Sequence, residues 1–507
     1  MSTDGVSRRG LLHAAGSGLV VAGAAGALPL ASGAAAWAAP DTAPAPDTDR
    51  RAESAGTGLT TRNPLVAQRA DPFVTRPVRG MYYLTGSVPE YDRIVVRGAP
   101  TLDGLASARE RTVWRRPATG RMGGYIWAPE LHHIDGRWYI YFAAGDSDDP
   151  FRIRTYVLES AEPDPRTAAG WVLRGQLSTA WDTFTLDATT FAHRGVRYLL
   201  WAQSEPGIAT NSNLYIAAMA SPLAIQGDPV RIAVPTLSWE VQGFRVNEGP
   251  AVLIRNGRVF VTFSASATDA RYCMGLLTAD ENADLLDARS WTKSAQPVFA
   301  TNENTRRYGP GHNSFTVAED GETDVLVYHA RDYRDITGDP LFDPNRHTRV
   351  QRLYWNTDGT PSFGVPVGDG GPVLRFSPLD APEAYVRHFG YLLRVEGGVR
   401  EVADTQFRLV PGFTGPGRVA VQSVNFPDRY ARLDGTVLRV DPYEDTDAYA
   451  VAASFVQVRG LADRRAVSLR LADDADTYVT HDGNGRLTVG RPGNRRADRE
   501  RATFRIS

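Results

Sequence analysis

Five stretches of the chain share one pattern: a polar or acidic residue, a short apolar run, a turn, then an aromatic run alternating like a strand. They are DPFVTRPVRGMYYLTGS from residue 71, ELHHIDGRWYIYFAAG from 130, DATTFAHRGVRYLLWAQ from 187, EGPAVLIRNGRVFVTFSAS from 248 and HNSFTVAEDGETDVLVYHA from 312. The pattern recurs about every 60 residues, and self-similarity at a fixed period is the mark of a repeat architecture. Each copy carries a hairpin turn (VRG, IDGR, HRG, RNGR, EDGE), and most are followed by a further strand such as RIVVRGA (93–99), RIRTYVLES (152–160), LYIAAM (214–219) or RYCMGLL (271–277). No long amphipathic helix is written between 60 and 370. Sheet units of this kind predict an all-β fold, a five-bladed β-propeller in which each blade's first strand lines a central axis. RLYWN (352–356) and the start of the domain are expected to share the closing blade.

If the first strands line the axis, the residues that lead the repeats face one space. These are Asp71, Glu130, Asp187, Glu248 and His312. Convergent carboxylates suit glycoside hydrolysis. One carboxyl group protonates the leaving oxygen, and another activates water or attacks directly. A third nearby raises the pKa of the acid by like-charge repulsion and helps to orient it. Clustered acids also serve metals, but the spacing contains neither an EF-hand loop nor a His-rich zinc pattern. Sialidase-type propellers carry S-x-D-x-G-x-x-W boxes, and there are none here.

Charge narrows the partners. The formal net charge is −2 and no basic block is present, which argues against nucleic acid or an anionic membrane. The first residues read as an address. SRRGLL (7–12), an Ala/Gly-rich apolar stretch and AAWAAP (35–40) describe a twin-arginine export signal over 1–38, followed by a Pro/Ala/Thr-rich linker over 39–61. With Cys273 alone, the chain forms no internal disulfide, as suits a protein exported already folded.

The motifs RADPFV, YIWAPELHHIDGRWYIYF, LDATTF, NEGPAV and GPGHNSF, in this order, resemble glycoside hydrolase family 43 over roughly residues 62–371. The resemblance implies a five-bladed propeller that hydrolyses with inversion. It makes Asp71 the general base, Asp187 the residue that tunes pKa and position, and Glu248 the general acid. It also implies a sugar-pocket wall at Trp127, a substrate contact at Arg346, and at His312 an axial histidine beside substrate or a cation (calcium or sodium). No cofactor is required, and Glu130 takes no catalytic part. EYDRIVVRGAPTLDGL, GPGHNSFT and NRHTRVQRLYWNTDGTPSFGVPV most resemble members that release arabinofuranose from chain ends. The expected activity is therefore that of a secreted, monomeric exo-α-L-arabinofuranosidase acting on α-1,5-arabinan or another arabinose-bearing plant cell-wall polysaccharide, with no membrane partner after signal cleavage. A β-xylosidase, an arabinoxylan debrancher and a non-catalytic arabinan-binding protein are the alternatives.

After FGVPVGDGG (363–371) the texture changes. Three segments align, starting at Tyr385, Tyr430 and Tyr478, and each ends in a strand with a Phe: Phe407, Phe455 and Phe504. Three short-strand repeats predict a β-trefoil over 376–507. SVNFPDRYAR and YVRH…ADTQF resemble carbohydrate-binding module family 42, the arabinofuranose-binding trefoil. That resemblance implies a pocket in each repeat built on a His and an Asp. Repeat one keeps both as His388 and Asp404. Repeat two has Leu433 and the Ala-rich AVAASF in their places. Repeat three keeps His481 but has Arg501 near the Asp position. One complete pocket is expected, in repeat one.

Overall fold

The computed structural model describes residues 59–507. The expected export signal and all but the last residues of the linker lie outside them. Five antiparallel sheets follow in chain order. The first holds β1 (Ala70–Val74), β2 (Tyr82–Ser87), β3 (Arg93–Ala99) and β4 (Arg111–Arg115). The second holds β5 (Ile126–Ile134), β6 (Arg137–Ala144), β7 (Arg154–Ser160) and β8 (Trp171–Gln176). The third runs through β9 (Thr185–His193), β10 (Val196–Gln203), β11 (Asn213–Ser221) and β12 (Ala224–Ala233). The fourth comprises β13 (Asn247–Arg255), β14 (Arg258–Ala265), β15 (Cys273–Asp280) and β16 (Thr292–Lys293), and the fifth β17 (Tyr308–Val317), β18 (Asp324–Arg331) and β19 (His347–Arg352). Strand order within every sheet is sequential, so each is a meander: a propeller blade.

Turn chemistry sets the innermost hairpins. Arg79-Gly80, Asp135-Gly136, Arg194-Gly195 and Asn256-Gly257 all have positive φ at both positions. That is the backbone of a two-residue type I′ turn, whose twist matches the strands it joins. The apolar faces of neighbouring blades then pack on one another. Tyr141 and Val157 of the second blade meet Leu199, Trp201 and Tyr215 of the third. Leu253, Phe260 and Met274 of the fourth meet Leu326 and Tyr328 of the fifth. The core lies between blades, and the axis is left to polar side chains.

The fifth blade has three strands of its own and takes its outer edge from the start of the domain. Val66 bridges Thr348 antiparallel. Asn63 Nδ2 donates to the Val350 carbonyl at 2.7 Å, and the Val350 N–H donates to Asn63 Oδ1 at 2.8 Å. The sharing expected for the closing blade thus falls to residues 63–66 on β19. Of RLYWN, Arg352 ends β19, while β20 (Tyr354–Trp355) leaves the blade and pairs with β21 (Pro361–Ser362). It leaves because the 63–66 segment already occupies that edge.

The C-terminal segment is also all-β. It contains β22 (Phe376–Pro378), β23 (Ala384–Phe389), β24 (Leu392–Gly397), β25 (Phe407–Pro411), β26 (Val419–Ser423), β27 (Arg429–Asp434), β28 (Val437–Pro442), β29 (Phe455–Arg459), β30 (Val467–Leu471), β31 (Tyr478–His481), β32 (Leu487–Gly490) and β33 (Phe504–Ile506). Pairing runs β22–β33–β30–β29–β26–β25, and a Leu374–Phe407 bridge brings β25 back beside the start of β22. The hairpins β23–β24, β27–β28 and β31–β32 touch one another through β24–β28, β28–β32 and an Arg394–Arg486 bridge. Phe407, Phe455 and Phe504 are fully buried in one cluster with Phe376, so the three repeats share a single core.

Candidate active site

The innermost strand of every blade is broken at the same point. Asp71, Ala128, Asp187, Gly249 and His312 all sit at φ between +40° and +56°, in the left-handed region. In each strand the pairing register slips there: between Ala70 and Phe73, Trp127 and Glu130, opposite Leu200 and Ala202, between Glu248 and Ala251, and between Gly311 and Ser314. A bulge of this kind turns a side chain away from the pleat. Left-handed backbone costs a non-glycine residue about 1–2 kcal/mol, so four such residues at one level mark a functional site. The structural period refines the expected one. Blade two places Ala128 in phase, and Glu130 lies two residues further on, bonded to His132 Nε2 at 3.0 Å. In blade four the in-phase residue is Gly249, one after Glu248.

Three of the five convergent residues meet. His312 Nδ1 stands 3.4 Å from Asp71 Oδ1 and 3.8 Å from Asp187 Oδ2. The Gly249 N–H donates to Asp187 Oδ2 at 3.0 Å, which sets Asp187 beside the residue following Glu248. The site is buried: Asp71, Asp187, Glu248 and His312 are each less than a tenth exposed.

Asp71 is the best-supported of the acids. Ser87 Oγ donates to Oδ2 at 2.6 Å, and Arg346 donates through one terminal nitrogen to Oδ1 at 3.2 Å. The Asp71 N–H donates to His329 Nδ1 at 3.0 Å. Burial would push the Asp71 carboxyl up, but the Arg346 guanidinium and His312 outweigh it and hold the group well below the usual carboxylate range. The same surroundings drive His329 down, burial first and Arg346 next, so it is neutral with its proton on a buried, unpartnered Nε2. Arg346 bonds Tyr91 Oη at 2.8 Å with its other terminal nitrogen, and its Nε is buried without a partner.

Asp187 is tuned the other way. Burial pushes its carboxyl up to about 7, with Glu248 and Asp71 adding to the rise against His312 and the Gly249 N–H. His312 is raised: burial lowers it, but Asp187, Asp71 and Glu248 outweigh that. One carboxylate held ionised beside a carboxyl group raised to near neutrality is an arrangement suited to paired base and acid catalysis.

Trp127 extends the site outward. Its ring stacks on Tyr125 at 5.6 Å and packs edge-on against Tyr91 at 6.0 Å, and its indole N–H has no partner. Arg346, expected at substrate, is placed against Asp71 and Tyr91. Among the described residues no group of three or more His, Cys, Asp or Glu side chains is arranged to hold a metal ion. His312 Nδ1 faces the Asp71 and Asp187 carboxylates as their charge partner. Sequence reasoning missed Ser87 and His329, on the second strands of blades one and five, and Tyr272, just ahead of β15, where the motifs read as plain β-structure.

In the C-terminal segment, His388 Nε2 bonds Asn425 Oδ1 at 3.0 Å, and Asn425 Nδ2 donates to Asp404 Oδ1 at 2.9 Å. Arg387 holds the other Asp404 oxygen at 2.7 Å. His481 Nε2 meets Asp380 Oδ1 at 2.9 Å. Asn425 and Asp380 stand at matching places ahead of Tyr430 and Tyr385, so each cluster joins the hairpin of one repeat to the start of another. The matching recess of repeat two, about 460 Å³, is lined by Leu433, Val451, Ala452 and Asp473 among others and lacks the histidine.

Comparison with known proteins agrees with this geometry. Residues 374–506 match the Alpha-L-arabinofuranosidase B (ABFB) domain. The chain is 52% identical over 409 residues to an extracellular exo-alpha-(1->5)-L-arabinofuranosidase of Streptomyces avermitilis, covering 81% of this chain and 85% of that one. It is 50% identical to alpha-L-arabinofuranosidase 43 of Humicola insolens, covering 84% and 91%. The crystal structure of alpha-L-arabinofuranosidase from Lactobacillus brevis superposes with a TM-score of 0.60 at 55% identity, covering 61% of this chain and 98% of that one. Residues 61–361 match the model of glycosyl hydrolases family 43, and with the acids of three blades gathered at its axis the chain belongs to that family.

Proposed function

We propose that the chain is a secreted, inverting exo-α-L-arabinofuranosidase that removes terminal arabinose from α-1,5-linked arabinan. The observation that carries the reading is the pair of opposite environments at the axis: Asp71 kept ionised by Arg346, and Asp187 with a carboxyl raised to about 7 beside Glu248. Asp71 takes a proton from water as that water attacks the anomeric carbon. Glu248 gives its proton to the glycosidic oxygen as the C–O bond breaks. Asp187 accepts the Gly249 N–H, which holds it beside Glu248, where it orients the acid. His312 supplies positive charge between Asp71 and Asp187, and Trp127 offers an aromatic wall to the sugar.

The names of the relatives support the arabinofuranoside substrate and export; the twin-arginine route rests on the SRRGLL sequence. For the C-terminal segment we infer a β-trefoil, supported by the six-strand ring and its three hairpins. We assign it an arabinose-binding role, with His388 and Asp404 as the complete pocket and His481 as a partial one. It would hold a monomeric enzyme on arabinose-bearing polysaccharide.

The test is product analysis on linear α-1,5-arabinan and, separately, arabinoxylan, with the first-formed anomer read by proton NMR. Arabinose alone from linear arabinan, released as the β-anomer, is the expected result. Arabinose only from arabinoxylan moves the enzyme to debranching, and xylose release to xylosidase activity. The α-anomer as first product refutes inversion, and binding without release refutes catalysis.

A further inference from the structure

We propose that Tyr272 is a positioning residue that dictates which oxygen of Glu248 carries the catalytic proton; the inference rests on the reading of Glu248 as the acid. The Tyr272 hydroxyl donates to Glu248 Oε1 at 3.0 Å, both groups being buried. Oε1 is occupied as an acceptor, so a protonated Glu248 carries its hydrogen on Oε2. When the Oε2–H bond breaks and the leaving oxygen takes the proton, negative charge grows on a carboxylate that already receives a donor. A hydrogen bond to an ion is stronger than one to a neutral acid, so this one strengthens along the reaction coordinate.

The ring of Tyr272 does a second job. It lies parallel to His329, with ring centroids 5.7 Å apart and planes within 6°. His329 in turn accepts the Asp71 N–H. The acid of blade four and the base of blade one are therefore tied through a single stacked pair. Gly311 makes room for it: a Cβ there would stand 2.5 Å from the Tyr272 ring. Burial, with Glu248 and Asp187 adding, keeps the phenol well above its usual pKa and hence a neutral donor.

Tyr272→Phe keeps the ring and removes the donor. The assay compares arabinobiose, whose leaving group needs protonation, with 4-nitrophenyl arabinofuranoside, whose leaving group needs little. We expect kcat on arabinobiose to fall roughly 10- to 100-fold, the effect of a hydrogen bond to a charged group, with KM and the aryl substrate little changed. Equal losses on both substrates, or none on either, overturn the proposal. Calorimetry checks that the variant is folded. If it is not, 3-fluorotyrosine placed at 272 serves instead, keeping the ring and strengthening the donor: the ratio of the two substrates shifts the opposite way, and an unshifted ratio overturns the idea. Glu248→Gln is run alongside. Should it fail on arabinobiose while Tyr272→Phe does not, the acid stands and Tyr272 falls. Should it remain active, the acid lies elsewhere and both readings fall.

Discussion

Replacing Arg346 by Met tests the electrostatics of Asp71, the proposed base. The substitution keeps an unbranched side chain of similar reach and deletes the guanidinium 3.2 Å from Asp71 Oδ1. In the native protein burial acts to raise Asp71 and is outweighed, first by Arg346 and then by His312. An opposite charge at this range is worth roughly 1–3 pKa units, or about 1.4–4 kcal/mol between the two protonation states. With it gone the Asp71 pKa rises by that amount. Because the base works only when ionised, the acidic limb of kcat/KM moves upward by roughly 1–3 pH units. Stability follows the same sign. A carboxyl depressed in the folded state contributes stability above its unfolded pKa of about 3.9 and loses it as pH falls. The variant is therefore destabilised most at neutral pH, and the gap closes towards acid. The assay is a pH profile on an aryl arabinofuranoside, where leaving-group protonation matters least. Tyr91→Phe is the control: it removes the other partner of Arg346 while leaving the charge beside Asp71, and its acidic limb stays in place. An unmoved limb in Arg346→Met would refute the argument, whatever happened to the rate.

Five further outcomes are expected. Asp187→Asn loses activity yet gains stability relative to the native chain as pH rises from about 4 to about 7, because a carboxyl raised to about 7 costs the folded state over that window; melting curves at both ends read this. Gly249→Ala, at φ +55° with its Cβ 3.1 Å from the His312 ring, loses roughly 1–2 kcal/mol together with most activity. Gly257→Ala, at φ +73° with open space around its Cβ, shows a similar backbone cost by denaturant titration and keeps its rate. Asn63→Ala removes both bonds to Val350 and lowers stability by about 2–3 kcal/mol, measurable as a shifted urea midpoint. His388→Ala weakens retention on an arabinan column while leaving hydrolysis of an aryl arabinofuranoside unchanged.

The repeat period and the turn residues made the blades legible, because Asn-Gly and Asp-Gly between alternating apolar runs dictate a hairpin locally. The acids were legible for the same reason: each opens a copy of the repeat. What the period could not resolve was the bulge. A register slip of one or two residues leaves no mark on hydrophobic alternation, so Glu130 read as in phase when Ala128 holds that place. His329 within β18 and Tyr272 at the entry to β15 were hidden because buried tyrosines and histidines in such places look like packing. In the C-terminal repeats, Asn425 and Asp380 escaped notice because each serves a histidine of a different repeat, and alignment within a repeat cannot show a partner across a boundary.

The seam at residues 63–66 has a consequence for when the enzyme comes to life. Synthesis makes Asp71 among the first residues of the ring, while His312, His329 and Arg346, which surround it, come some 240 to 275 residues later. The strand that fastens the ring precedes Asp71, and its counterpart β19 follows Arg346. Fastening and arming are thus one event. Asp71 gains its partners His329 and Arg346 only with the fifth blade in place, so a ring opened at the seam would also uncover the proposed base. Activity in this protein is a readout of topological completion.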